Sequence, residues 1–136
     1  MAGHAMAVAD AFPQAEIVGI EPAGADDFCQ SLDAQQRVRI ERPQSICDGL
    51  CSYDVGKHNW PILQRYVPQA VAVPDTDTQT AMRWLYQQHG LRCEPSGAIA
   101  VAAVLTGRVR VEGEGDIALV VSGRNVDEEQ FRACIE

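Results

Sequence analysis

Ala118-Leu-Val-Val121 runs directly into Ser122-Gly-Arg-Asn-Val-Asp127, and no other stretch restricts the fold of this chain as strongly. Four consecutive apolar residues without alternation fit a strand buried on both faces, as in a parallel sheet. Ser122-Gly123 predicts a sharp turn. Asn125 or Asp127 is placed to cap a helix running from Asp127 to about Cys134. Open α/β sheets hold their ligands at polar turns beyond the carboxyl ends of such strands. Ser122, Gly123 and Asn125 are therefore candidate binding residues, although an ordinary strand-to-helix turn has the same composition.

The rest of the chain must supply the neighbours that such a strand needs. Its 136 residues suffice for one domain with a real core. A net charge of −8 and the lack of any basic run argue against nucleic acid as a partner. No apolar run reaches membrane-spanning length, and Met1-Ala-Gly-His-Ala-Met-Ala-Val8 has no basic leader region. A cytoplasmic protein without membrane contact is expected. Cys29, Cys47, Cys51, Cys93 and Cys134 are odd in number and irregularly spaced, which points to reduced, mostly buried thiols. Cys47 and Cys51 with His58 nearby fall short of a zinc ligand set. Ten of the eleven basic residues are arginine, so Lys57 is the sole lysine.

The periodicities alternate between helix and strand. Residues 1–11 predict a small-residue helix closed by Pro13. Ala15 to Ile20 predicts a strand, and Glu21-Pro-Ala-Gly-Ala-Asp-Asp27 a carboxylate-rich loop at its end. Phe28 to about Arg37 reads as a helix with Asp26 or Asp27 as cap. Ser45-Ile-Cys-Asp-Gly-Leu50 reads as a strand fragment inside an irregular region, and His58 to Tyr66 as a short helix with Pro61 in its first turn. Ala70 to Pro74 predicts a second buried strand. A helix follows with Thr76 and Gln79 at capping-box spacing, Ala81, Met82, Leu85 and Tyr86 as its buried stripe, and Gly90 as C-cap. Pro95 suits the first turn of a helix ending at Leu105, and residues 107–115 form a polar connection. The pattern implies an α/β chain folded as a three-layer αβα sandwich, with a short, mainly parallel sheet of three or four strands.

Four of these segments together resemble one family. Glu21-Pro-Ala-Gly-Ala-Asp-Asp27, Ile46-Cys-Asp-Gly-Leu50, Cys93-Glu-Pro-Ser-Gly-Ala98 and Val121-Ser-Gly-Arg-Asn-Val-Asp127 are similar, in order and spacing, to the C-terminal half of the threonine dehydratase, serine racemase and hydroxyaspartate dehydratase group. These are fold-type II pyridoxal-phosphate (PLP) enzymes. The resemblance implies that residues 1–136 form a single α/β domain, part of that family's large domain. It makes Ser122 the residue that hydrogen-bonds the pyridine nitrogen, with Gly123 and Asn125 in the same turn. Glu94 is placed beside the cofactor ring, and Asp48-Gly49 in a loop lining the site. Glu21, the Ala25 carbonyl and Asp27 match a divalent-cation site, for Mg²⁺ or Ca²⁺. The reaction implied is deprotonation at Cα, loss of a β-hydroxyl and release of ammonia, or racemisation.

Two departures qualify that expectation. Arg124 stands where the family usually carries a second glycine. The family's Schiff-base lysine, its ring-oxygen asparagine and its glycine-rich phosphate loop have no counterpart here, and Lys57 matches no catalytic lysine. The chain is thus expected to be a fragment or truncated homologue, inactive alone, whose partner is a complementary N-terminal half or a second copy of itself. The competing expectation is a non-enzymatic, self-associating α/β module, or a domain binding a small ligand or cation.

Overall fold

The computed structural model describes residues 1–111 and 115–136. The helices are α1 (Ala2–Ala11), α2 (Asp27–Ala34), α3 (Trp60–Tyr66), α4 (Asp75–His89), α5 (Pro95–Leu105) and α6 (Glu128–Ile135). The strands are β1 (Val18–Pro22) and β2 (Gln69–Val73), paired in parallel with Ile20 opposite Val71. The polar connection expected over 107–115 includes residues outside the described set.

The three-layer arrangement follows from which side chains each strand face buries. Ile20, Val71 and Val73 pack against a core built from α4, α5 and α6, including Met82, Leu85, Ile99 and Phe131. On the opposite face Ala70 joins a second core of Ala2, Ala5, Phe28, Leu63 and Val67, contributed by α1, α2 and the α3 region. Gly19 shows why that face is close-packed: a Cβ there would lie 2.9 Å from the Phe28 ring. Helix α5 is apolar all round and lies in the middle of the first core, where Ala98, Ala102 and Ala103 are fully buried. Among the described residues no helix is long and apolar enough to cross a membrane.

Helix ends follow local chemistry. Gly90 closes α4 with φ 64°, and its N–H donates to Tyr86 O at 3.0 Å. Helix α2 stops at Ala34, short of the expected Arg37, because Gln35 turns left-handed at φ 54°. The Thr76–Gln79 capping box does not form: Pro74 takes the N-cap position, and Thr76 is already the second residue of α4. Tyr86 is half-exposed rather than buried and meets the Phe131 ring edge-on at 5.2 Å. Asp127 caps α6, accepting the Gln130 N–H at 2.7 Å. Asp127→Ala should therefore cost about 1 kcal/mol in urea denaturation; an unchanged midpoint would show that the cap contributes nothing.

Two expected strands are not found, which reduces the sheet among the described residues from three or four strands to two. Residues 45–50 do not extend. Ser45 Oγ donates to Asp75 Oδ1 at 2.5 Å and the Ile46 N–H to Oδ2 at 3.1 Å, after which Asp48–Leu50 coils into a 3₁₀ turn. Bonding to the start of α4 takes the place of a strand ladder. Residues 117–121 are neither helical nor in a ladder, and they are not buried: Ile117 is 50% exposed and Val120 64%. A strand requires a hydrogen-bonded neighbour, and among the described residues the sheet holds only β1 and β2.

Candidate functional site

The candidate residues converge on the start of α5. Glu94 precedes the helix, and its carbonyl accepts the Gly97 and Ala98 N–H groups at 3.0 and 3.2 Å. Its own N–H donates to Gly123 O at 3.2 Å, while its carboxylate Oε2 accepts the Asn125 N–H at 3.0 Å. Glu94 therefore clasps the 123–125 turn at two points. Glycines permit the approach. A Cβ on Gly97 would lie 2.5 Å from Gly123 O, and one on Gly123 would run into Glu94 Oε1. From the other direction the 3₁₀ turn brings in Gly49, where a Cβ would lie 3.1 Å from Ser96 Oγ. Gly49, Glu94, Gly123 and Asn125 thus share one locus, with Ser122 at its edge.

Two hydroxyls at this locus lack protein partners. Ser96 Oγ is buried in the first turn of α5 and makes no hydrogen bond. Ser122 is exposed, and among the described residues its hydroxyl bonds to nothing. Sequence reasoning missed Ser96, although it lies inside the Glu-Pro-Ser-Gly motif, because its burial and lack of a partner exist only in the folded chain. Sequence reasoning also missed the cavity of about 750 Å³ beside Ser122, which is lined by residues 90–92 and 121–124. Cys93 adjoins it, but burial, reinforced by the Glu94 charge, pushes its thiol up to about 11, so it stays protonated at neutral pH. All five cysteines are free thiols.

The loop after β1 is a separate locus. Glu21 Oε1 accepts the Phe28 N–H at 3.0 Å and Oε2 the Cys29 N–H at 2.8 Å. Glu21, rather than Asp26 or Asp27, thus satisfies the orphan donors that open α2. Asp27 is buried and accepts the Ser52 hydroxyl at 2.9 Å, and Ala25 is fully buried. Glu21, Ala25 and Asp27 do lie in one loop, but both Glu21 oxygens are occupied by backbone donors. Among the described residues no group of three His, Cys, Asp or Glu side chains is arranged to hold a metal. The expected Mg²⁺ or Ca²⁺ site is therefore not supported.

Desolvation outweighs those two N–H bonds and pushes the Glu21 carboxyl up to about 7. An acid whose folded-state pKa is raised binds more protons folded than unfolded. Its contribution to stability is then full below about pH 4.5 and falls until about pH 7, by at most about 3 kcal/mol. Glu21→Gln should flatten this part of the stability-versus-pH curve. A curve parallel to that of the parent protein would contradict the assignment.

Comparison with known proteins extends this geometry. The family model described as pyridoxal-phosphate dependent enzyme matches residues 1–123. The chain belongs to that family. An L-threo-3-hydroxyaspartate ammonia-lyase from a Pseudomonas species is 27% identical over all of this chain and 42% of its own length. The T.th. threonine deaminase superposes with a TM-score of 0.84 at 34% identity, covering 93% of this chain and 42% of that one. Maize serine racemase superposes at 0.89 and 32% identity, covering 97% and 41%. These PLP-dependent relatives are the dehydratases and racemases that the four motifs resemble, and the fold is theirs. The chain spans about two fifths of their length, so it corresponds to a fragment of them.

Proposed function

We propose that this chain is the C-terminal part of a PLP-dependent hydroxy-amino-acid dehydratase (ammonia-lyase) or racemase, and that its share of the active site is the locus at the start of α5. The observation that carries this reading is the double clasp of Glu94 on residues 123–125, which holds the Ser122 hydroxyl beside an open cavity. The residues present fit the cofactor. Ser122 offers a neutral, unpartnered hydroxyl of the kind that suits an unprotonated pyridine nitrogen. Ser96 adds a buried hydroxyl without a partner, and glycines keep the surroundings free of side chains. When bound, PLP would supply the electron sink for deprotonation at Cα. Ser122 would orient the ring from its nitrogen, Glu94 would hold the turn carrying Ser122, and Gly49 would let the 3₁₀ turn approach the ring.

A lysine at the cofactor is required for PLP chemistry, and Lys57, exposed in the turn before α3, does not supply it in this reading. The isolated chain is therefore inactive, and the partner is a polypeptide carrying the remainder of the fold. Residues 117–121 support that partner: they present unpaired backbone and exposed apolar side chains, the features of a segment that lacks a strand neighbour. The same surface favours a second copy of the chain when no other partner is present.

The test is to incubate the purified chain with PLP and threonine, serine or 3-hydroxyaspartate, measure ammonia, and map any lysine modified after borohydride reduction. No ammonia and no PLP fixed specifically on Lys57 are expected. Turnover by the isolated chain would refute the assignment of an incomplete site.

A further inference from the structure

Asp75 opens α4, but its carboxylate does not cap that helix. It reaches a segment distant in sequence instead. Oδ1 accepts the Ser45 hydroxyl at 2.5 Å and Oδ2 accepts the Ile46 N–H at 3.1 Å. Among the described residues Asp75 forms no ion pair, so these two donors are what its charge meets. Bonds to an ionised acceptor are the stronger kind, and the first turn of a helix favours the ionised form.

Ser45 passes this anchor on to the 3₁₀ turn. While its hydroxyl donates to Asp75, it accepts the Cys47 N–H at 3.0 Å. Its carbonyl accepts the Cys51 thiol at 3.8 Å, and that thiol also lies 3.5 Å from Cys47 O. Both ends of Asp48–Leu50 are thus tied to Ser45, and Ser45 is tied to α4. Ile46, Cys47 and Leu50 pack against the first core, but apolar packing is non-directional and does not choose which way the turn faces. The two directional bonds to Asp75 do. What the turn presents is Gly49, where a Cβ would lie 3.1 Å from the unpartnered Ser96 Oγ.

We propose that Asp75 is a positioning residue for the site at the start of α5: through Ser45 and Ile46 it sets the turn that brings Gly49 against Ser96. The role rests on the function proposed above, in which that turn approaches the cofactor. Two measurements test it. In the free chain, Asp75→Ala should shift the amide resonances of Gly49, Leu50 and Cys51 while those of Ala102 and Ala103, inside α5, stay in place. It should also speed alkylation of the Cys51 thiol about tenfold, through loss of charge-assisted bonds. Ser45→Ala should act in the same direction, and the double variant should be no worse than D75A alone, because both residues work through one relay. Asp75→Glu keeps two acceptor oxygens on a longer arm and should recover part of the protection. The second measurement titrates PLP into the chain co-purified with the part of a serine racemase that it does not match. D75A should bind PLP about tenfold more weakly, with D75E nearer the parent. Unmoved resonances at 49–51, additive effects of D75A and S45A on alkylation, or equal PLP affinity of the D75A and parent complexes would overturn the proposal. A parent complex that binds no PLP would instead refute the cofactor reading, and this role with it, whatever the free chain shows.

Discussion

Gly97→Ala should lower stability by about 3 kcal/mol and release the 122–125 turn. The added methyl would lie 2.5 Å from Gly123 O, which already accepts the Glu94 N–H. Neither partner yields easily. Gly97 is in the first turn of α5, whose Ala98, Ala102 and Ala103 are fully buried, so the helix has no room to retreat. The turn would have to move instead, losing the Glu94–Gly123 bond and then the Asn125–Glu94 bond. Urea denaturation reads the stability, and proteolysis near Arg124 reads the release. An alanine variant with parental stability and an intact turn would show that the clasp is looser than its geometry states.

Phe131→Ala should cost about 3–4 kcal/mol and uncouple α6 from α4. Phe131 is the largest apolar residue of α6, is buried, meets Tyr86 edge-on and supports the Arg92 guanidinium. Removing it leaves a cavity and deprives Arg92 of one of its three contacts. Because α6 follows directly from the turn that carries Ser122, its loss should also raise amide exchange across residues 122–127. A loss below about 1 kcal/mol, with exchange unchanged, would mean that α6 is held by Arg83, which donates to Ile135 O at 2.8 Å, rather than by its aromatic anchor.

Local chemistry made most of the helices legible. Pro61, Pro95, Gly90 and Asp127 each mark a helix end where a fixed φ, a left-handed residue or a side-chain acceptor is required, and each lies where expected. Strands were less legible because a strand is a statement about neighbours. The run at 117–121 has the composition of a buried strand, but its side chains remain in water without a paired neighbour. At 45–50 an apolar run lost to competition from the Asp75 carboxylate, a contact 29 residues distant in sequence that no local pattern reveals.

At the site, the motif residues Gly49, Glu94, Gly123 and Asn125 were visible in sequence, and the structure brings them together through glycine contacts and the Glu94 clasp. Ser96 and the cavity were not visible, because an unpaired hydroxyl and an empty volume exist only once the chain is folded. For the loop after β1, the family resemblance implied a cation held by Glu21, the Ala25 carbonyl and Asp27; the fold shows Glu21 closing the N-terminus of α2, which leaves that expectation without support.

In the proposed function, Ser122 marks the pyridine end of a PLP site which this chain shares with a second polypeptide. The most direct measurement is PLP affinity, followed by absorbance, for this chain co-purified with the part of a serine racemase that it does not match, comparing the parent chain with Ser122→Ala. Tight binding is expected only when both pieces are present, weakened about tenfold in the variant through loss of one hydrogen bond to the ring. A stable complex that binds PLP equally well with alanine at position 122 would contradict it.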